Sequence, residues 1–168
     1  VLSAGSFSSK LVKQIGLKMP LMSGKGYSYT LESPKTKPSV PAILIEARIA
    51  STPMGEKWRF GGTMTVTDSN RLINKKKLYA MARYVKNYYP EYESSWVHGF
   101  KPWVGLRPLS ADGIPYIGSF KKIPNLIAAT GHAMMGISMA PVTGEIINNI
   151  ISGQKSNFNL KMLSPDRF

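Results

Sequence analysis

Apolar residues recur every three or four positions in three stretches of this chain, which is the spacing of an amphipathic α-helix. Residues 75–89 form the clearest stretch, directly before Pro90, and its apolar face comprises Leu78, Met81, Ala82, Val85 and Tyr88. Residues 137–152 form a second stretch that Gly153 stops, with a stripe of Ile137, Ala140, Gly144, Ile147 and Ile151. A third, short helix is predicted before Gly16, capped by Ser6 or Ser8, with one face of Leu11, Val12 and Ile15.

Shorter apolar and β-branched runs predict strands over residues 25–31, 43–49 and 58–67. Prolines mark a loop after the first run, and residues 52–56 form a turn between the other two. Because short turns join these strands, we expect an antiparallel sheet on which the helix over 75–89 packs. Residues 125–130 predict a buried strand. Residues 1–5 predict the end of another, so we expect the chain to be part of a longer polypeptide.

The composition is that of a globular chain, with 43% hydrophobic residues and no apolar run long enough to span a membrane. Cysteine is absent, which removes disulfides and thiolate sites, and two histidines alone make no convincing metal site. The net charge is +13, but the basic residues are spread out and only Lys75, Lys76 and Lys77 form a run. We therefore expect no nucleic-acid partner and keep attraction to anionic lipid head groups as a secondary expectation.

Two features near the C-terminal end suggest chemistry. Residues 125–153 combine a strand, a glycine-punctuated loop and a helix, and the helix start offers unpaired N–H donors and partial positive charge to an anionic group. Arg107 lies shortly before, in a turn-rich segment over residues 96–118, and its guanidinium fork matches a carboxylate. Each feature also has an ordinary interpretation: an arginine that braces a turn before Pro108, and a common strand–turn–helix junction.

Six pieces of sequence, in order, resemble the C-terminal part of D-amino-acid dehydrogenases and oxidases in the FAD-dependent amino-acid oxidoreductase family. They span residues 1–8, 25–28, 59–64, 105–108, 112–118 and 131–144. The family begins with a G-x-G-x-x-G turn that holds the FAD pyrophosphate, and no such turn occurs here. The resemblance therefore implies a missing N-terminal FAD-binding segment, and we expect the chain alone to be inactive.

The resemblance implies an α+β fold, in which an antiparallel substrate-domain sheet with packing helices joins the last strand and helix of an FAD-binding domain. On this basis residues 1–16 are the end of an FAD-domain strand and a short helix, and residues 17–102 are the substrate-binding domain. Residues 103–153 return to the FAD domain, and residues 154–168 are a polar tail that we expect to be loose.

The resemblance also assigns roles to individual residues. Arg107 would receive the substrate carboxylate, and Tyr27 and Arg48 would contribute to the substrate chamber from the sheet. FAD contacts would come from Gly5, Ser6, Gly131, His132, Ala133, Met134, Met135, Gly136, Ile137 and Ser138. A structural histidine in a turn, methionines that only pack and a serine that only caps a helix are the alternatives.

The implied activity is oxidative deamination of D-amino acids by hydride transfer to the flavin, with no protein acid or base required. Glycine, sarcosine or proline oxidation on the same skeleton is an alternative, and so is a non-enzymatic basic binding module. Residues 25–28 and 61–64 look closer to bacterial dehydrogenases, whose electrons pass to a membrane quinone chain. This implies a cytoplasmic protein with peripheral contact at the inner membrane.

Overall fold

A computed structural model describes residues 1–93, 98–99 and 101–168 of the chain. Two compact units divide it: Val1–Gly24, Val66–Ser69 and Leu106–Phe168 form the first, and Lys25–Thr65 and Asn70–Gly105 form the second. Part of the segment predicted over 96–118, including Trp96, lies outside the described residues. In the described ranges, none of the helices combines the length and apolar character that spanning a bilayer requires.

Runs of consecutive strands separate the three α-helices along the chain. The helices are α1 (Ser8–Gln14), α2 (Lys75–Lys86) and α3 (Gly136–Ile151). The strands are β1 (Leu21–Leu31), β2 (Ala42–Leu44), β3 (Ile49–Met54), β4 (Lys57–Thr67), β5 (Trp103–Ser110), β6 (Tyr116–Ser119) and β7 (Ile127–Thr130).

Most of a five-stranded sheet, ordered β2-β3-β4-β1-β5, lies in the second unit. Strands β2, β3 and β4 pair antiparallel, as expected for this sheet, but residues 52–54, which were predicted as part of a turn, belong to β3. The strand predicted over 43–49 is interrupted, because the chain turns at residues 45–48 and the Arg48 N–H donates to the Ile45 carbonyl at 3.1 Å. Arg48 therefore lies in a turn with a φ of 54°, and its placement on a strand was wrong.

The core of the second unit lies between this sheet and helix α2. Leu78, Met81, Ala82 and Val85 are buried as the helical spacing predicted, but α2 ends at Lys86, before the predicted end. Sheet aromatics complete the core, with the Trp58 and Phe60 ring centroids 4.5 Å apart. Strand β1 was expected to alternate, yet residues 23–29 are buried without interruption, so both faces of this strand are covered.

In the first unit, strands β6 and β7 pair antiparallel, from Tyr116 opposite Thr130 to Ser119 opposite Ile127. Leu2 adds only a single parallel bridge to Ala128, so the buried strand predicted over residues 1–5 is reduced to one residue. A small core forms beneath this pair; its buried members are Val12, Leu17, Met19, Tyr116, Phe120 and Ala128.

Helices α1 and α3 differ from their predicted amphipathic patterns. Neither Ser6 nor Ser8 caps α1 through its side chain; a 3₁₀ turn over Gly5–Phe7 precedes the helix, which ends near Gly16 as predicted. Leu11 and Ile15 are exposed while Val12 is buried. The predicted stripe of α3 was also wrong, since Ile137 is 91% exposed and Ile146 is the buried residue of the helix.

The C-terminal tail packs against the first unit, so its predicted looseness was wrong. The guanidinium of Arg167 donates to both carboxylate oxygens of Asp112, at 2.8 and 2.9 Å. The same group lies 3.9 Å from the ring centroid of Tyr116, and Pro165 is fully buried. A bidentate ion pair over an aromatic face is a geometry that arginine provides and lysine does not, and it fixes the tail on the β6 segment.

We expect Arg167→Gln to raise the pKa of Asp112 from about 2 toward its ordinary value near ~3.9, because the Arg167 hydrogen bonds hold it low. A carboxyl whose folded pKa is depressed stabilises the fold above about pH 4, and this contribution is lost as the pH falls through about 2. Carboxyl NMR titration measures the shift. An unchanged Asp112 titration in the variant would contradict the role given to Arg167.

Candidate functional site

Arg107 lies within strand β5 and not in a tight turn, which corrects the sequence-based placement. Its side chain is half-buried, and this burial lowers the pKa of its guanidinium, which stays charged at neutral pH. In the part of the chain that the structure describes, no hydrogen-bond or ion-pair partner reaches this guanidinium. A partly desolvated cation without a counter-ion is costly, and a ligand carboxylate would relieve that cost.

The residues that follow Arg107 hold the glycine loop beside it. The N–H of Ala133 donates to the Pro108 carbonyl at 2.9 Å, and Leu109 forms an antiparallel bridge with His132. Both contacts lie within the first unit. The structure therefore brings together the arginine and the loop, which the sequence suggested as two separate features.

The loop has a conformation that only certain residues tolerate. Gly131 has a φ of 85°, and a side-chain Cβ at this position would lie 3.2 Å from a ring carbon of Tyr116. Ala133 has a φ of 50°, which is unusual for a residue with a side chain. Gly136, by contrast, needs no special backbone geometry, and its Cβ would meet only His132 at an ordinary 3.5 Å. The glycine requirement therefore falls on Gly131.

The start of helix α3 is open to a ligand. Met135 is the N-cap residue and gives no side-chain cap, and no acidic residue lies in the first turn. The side chains around this end are apolar and exposed, namely Met134, Met135 and Ile137. Gly5 lies next to the end of β7, where its carbonyl accepts a hydrogen bond from the Thr130 hydroxyl at 3.2 Å, and Ser6 is buried.

His132 joins the loop to helix α3. Its Nε2 atom lies 3.0 Å from the Thr143 hydroxyl oxygen, and burial lowers the pKa of the imidazole. The ring is therefore neutral at neutral pH, with one nitrogen engaged by a helix side chain. Sequence reasoning missed Thr143, since no spacing rule links a loop histidine to a residue in the second turn of the next helix.

Tyr27 and Arg48 belong to the second unit, and the structure gives both of them other surroundings. Tyr27 is 2% exposed, and its hydroxyl donates to the Leu72 carbonyl at 3.4 Å and accepts from the Asn74 N–H at 3.2 Å. Arg48 is exposed in its turn. A role in substrate binding for either residue stays a prediction.

Arg59 is a second cationic group on the sheet, and sequence reasoning did not single it out. Its guanidinium donates to the Ser28 hydroxyl at 3.0 Å and lies 5.4 Å from the ring centroid of Trp103. The Trp103 ring occupies the space that a side chain at Gly105 would need. A tryptophan two residues before a glycine on one strand is the signal that could have suggested this packing.

The comparison with known proteins decides the family. Residues 1–150 match the family described as FAD dependent oxidoreductase. The chain belongs to this family. It is 31% identical over 170 aligned residues to a D-amino acid dehydrogenase of Vibrio atlanticus (strain LGP32) and 32% identical to one of Granulibacter bethesdensis. Both alignments cover the whole chain but only 40% of the relative, so the chain spans less than half the length of these relatives.

Solved structures of the family share this fold. Glycine oxidase from Geobacillus kaustophilus matches with a TM-score of 0.77 at 21% identity, over 98% of this chain and 44% of that one. Glycine oxidase from Bacillus cereus matches at 0.76 and 26% identity, over 96% and 43%. L-amino acid deaminase from Proteus vulgaris matches at 0.79 and 14% identity, over 99% and 50%. The mixed α+β architecture predicted from the sequence is thereby confirmed.

The family implies FAD, and the residues of the first unit fit one end of it. The uncapped start of α3 offers N–H donors to negative charge, whereas the close approach at Gly131 is to the ring of Tyr116. The exposed methionines provide an apolar rim for a ring system. Each of these properties suits the flavin ring, whereas the pyrophosphate needs a glycine fingerprint that this sequence lacks.

We expect Gly131→Ala to lower the free energy of unfolding by about 1–3 kcal/mol, because alanine must then hold a strained backbone close to Tyr116. Gly136→Ala is the matched control: it adds the same methyl group at a helical position and should change stability by less than about 1 kcal/mol. Urea unfolding of both variants measures the difference. Equal losses would show that the loop does not require its glycine.

Proposed function

We propose that this chain is part of an FAD-dependent enzyme that oxidatively deaminates D-amino acids. The observation that carries the proposal is the half-buried guanidinium of Arg107, which has no partner among the described residues and lies on the strand that pairs with the glycine loop. The D-amino acid dehydrogenases that match along the whole chain support the same substrate class. Because the chain spans 40% of their length, the activity belongs to the longer polypeptide.

Arg107 is proposed to bind the substrate carboxylate. Its planar fork can donate two parallel hydrogen bonds, which fix both the position and the orientation of the carboxylate. Partial burial strengthens this interaction relative to bulk water. The backbone pairs at Pro108 and Leu109 then set where the substrate lies relative to the loop. The chain thus contributes orientation, because a substrate bound on Arg107 is already held in one position before the reaction begins.

The first unit is proposed to form the FAD side of the enzyme, and the second unit to form its substrate-binding sheet. When bound, the flavin supplies the hydride acceptor for the oxidation. The residues proposed to contact it are Gly5, Ser6, Gly131, His132, Ala133, Met134, Met135, Gly136, Ile137 and Ser138. A further N-terminal segment is proposed to hold the pyrophosphate, since this chain lacks the required turn.

No side chain of this site is proposed to move a proton. His132 has one ring nitrogen engaged by Thr143, and its lowered pKa keeps it neutral. Its proposed contribution is to hold the loop at a fixed position on α3. The amino acid would therefore have to react with its amine unprotonated, and the product imine would hydrolyse in water.

A second candidate is oxidation of glycine, sarcosine or proline by the same site. The likeness to Bacillus cereus glycine oxidase, at 26% identity, favours keeping it. D-Amino acids such as D-alanine carry a side chain on Cα, glycine and sarcosine carry none, and proline joins its side chain to the nitrogen, so the two candidates differ in the shape of the space beside Cα and the amine. A quinone acceptor and a cytoplasmic location with peripheral inner-membrane contact stay predictions.

We expect Arg107→Leu in the complete, flavin-loaded polypeptide to raise the KM for D-alanine by roughly 100-fold, because two charge-assisted hydrogen bonds are lost. Arg107→Lys keeps the positive charge but lacks the planar guanidinium fork, so its KM for D-alanine should lie between that of Arg107→Leu and that of the wild type. Anaerobic bleaching of the flavin absorbance at increasing substrate concentrations measures the effect.

The matched control for this prediction is Lys155→Leu, which removes an exposed cation from the same unit and should leave KM unchanged. Retention of the flavin spectrum in all variants separates lost substrate binding from lost cofactor. A complete polypeptide that binds no FAD would refute the flavoenzyme proposal and favour a basic binding module. Bleaching by glycine or sarcosine and not by D-alanine would favour the second candidate.

A further inference from the structure

An exposed apolar pair precedes the basic start of helix α2. Leu72 is 76% exposed and Ile73 is 41% exposed, and Arg71 lies directly before them. Lys75, Lys76 and Lys77 then form the first turn of α2 and are exposed as well. We refer to residues 71–77 as the basic tip. Aliphatic side chains this exposed, next to four cations, have no role in the core of the second unit.

The exposure of Leu72 is a consequence of how its backbone is held. The buried ammonium of Lys25 donates to the Leu72 carbonyl at 3.0 Å and to the Asn70 side-chain oxygen at 2.7 Å. The Asn70 oxygen also accepts from the Leu72 N–H at 3.2 Å, and Tyr27 bonds the backbone of Leu72 and Asn74. Both backbone polar groups of Leu72 are thus occupied while its side chain projects outward.

The charged residues of the basic tip and of helix α2 are all basic, and the nearest acidic residues along the chain are Asp68 and Glu91. Between Ser69 and Pro90 the sequence contains no Asp or Glu and six basic residues, Arg71, Lys75, Lys76, Lys77, Arg83 and Lys86. Lys77 donates to the Thr65 hydroxyl at 2.6 Å, whereas no bond or ion pair in the described parts of the chain engages the Lys75 and Lys76 ammonium groups. The acidic Glu46 lies at the opposite end of α2, where its carboxylate accepts a hydrogen bond from the Tyr88 hydroxyl at 2.9 Å.

Three lysines at the start of a helix oppose its dipole, because this end carries partial positive charge. No acidic residue in the first turn compensates them. An external polyanion would remove this repulsion, and the charge pattern therefore specifies an anionic partner. The aliphatic pair distinguishes between the polyanions: nucleic acid offers phosphates together with bases, which stack best on aromatic side chains, whereas a bilayer of acidic phospholipids offers phosphates together with an aliphatic phase.

We propose that the basic tip is a docking surface for an anionic phospholipid bilayer. Leu72 and Ile73 enter the boundary between head groups and acyl chains, and Arg71, Lys75 and Lys76 contact the phosphates. The exposed Tyr84 on α2 suits the same interface, where aromatic rings with a polar end are favoured. This surface is independent of the redox proposal, because vesicle binding needs neither substrate nor oxidation.

Sedimentation of the complete polypeptide with vesicles tests the proposal. We expect binding to vesicles of phosphatidylglycerol and phosphatidylcholine, and little binding to phosphatidylcholine alone. Lys75→Gln with Lys76→Gln should weaken binding by about 25-fold at low salt, which is about fivefold per charge. Leu72→Asn with Ile73→Asn should weaken it at least about tenfold, and this loss should persist at high salt.

Matched controls use exposed residues elsewhere. Lys121→Gln with Lys122→Gln removes two neighbouring exposed lysines, and Ile45→Asn removes an isoleucine that is 75% exposed; neither should change vesicle binding. Leu72→Trp keeps an apolar side chain and adds a signal. Its emission should shift to the blue on phosphatidylglycerol vesicles, while that of Ile45→Trp should not.

Several outcomes would overturn the proposal. These are absence of binding to acidic vesicles, equal losses in the control variants, or an unshifted Leu72→Trp emission. If the lysine variants lose affinity for duplex DNA while the aliphatic variants keep vesicle affinity, the partner is a nucleic acid instead. A protein that binds vesicles but oxidises no amino acid would overturn the redox proposal alone.

Discussion

The pairing of strand β5 with the glycine loop is the constraint on which the candidate site depends. The Ala133 N–H to Pro108 carbonyl bond and the Leu109–His132 bridge are backbone contacts, so side-chain changes in the loop do not remove them. Arg107 directly precedes Pro108 and Leu109, and helix α3 begins at Gly136, shortly after His132 and Ala133. The two contacts therefore couple the position of Arg107 to the start of α3. A carboxylate on Arg107 and a ring on the loop would then be held by one hydrogen-bonded framework.

This framework contains strain that local interactions must offset. Positive φ at Ala133 costs on the order of 1 kcal/mol for a residue with a side chain, and Gly131 avoids a comparable cost only because it lacks one. Against this stand one backbone hydrogen bond at Pro108 and the His132–Thr143 contact, each contributing about 1 kcal/mol. Together these two contacts contribute about 2 kcal/mol, which is enough to offset the strain at Ala133.

The sequence predicted correctly those elements whose apolar residues are covered by a neighbouring element in the structure. Helix α2 follows its apolar spacing because one face meets a sheet, and the turn at Gly55 before β4 was predicted, although residues 52–54 of the predicted turn belong to strand β3. Helix α3 has an equally clear stripe, yet Ile137 is exposed, because spacing gives a face but not what covers it. The tail was missed for another reason: the Arg167–Asp112 pair joins residues far apart in sequence, where composition alone indicates only polarity. For the site, residue type identified Arg107, but the absence of a partner for its guanidinium among the described residues is a three-dimensional property.

Lys25 is buried and Leu72 is exposed, which is the reverse of where a lysine and a leucine usually lie in a folded protein. A lysine that is 7% exposed, with no carboxylate partner in the described ranges, costs several kcal/mol in desolvation, and hydrogen bonds to neutral acceptors recover about 1.5–3 kcal/mol each. The leucine that this lysine holds in place gives up about 1.5–3 kcal/mol by remaining outside. Burial of Leu72 would favour folding by this amount. Folding stability therefore gives no reason for this arrangement, whereas an apolar phase bordered by phosphates accounts for the exposed leucine and for the lysines beside it.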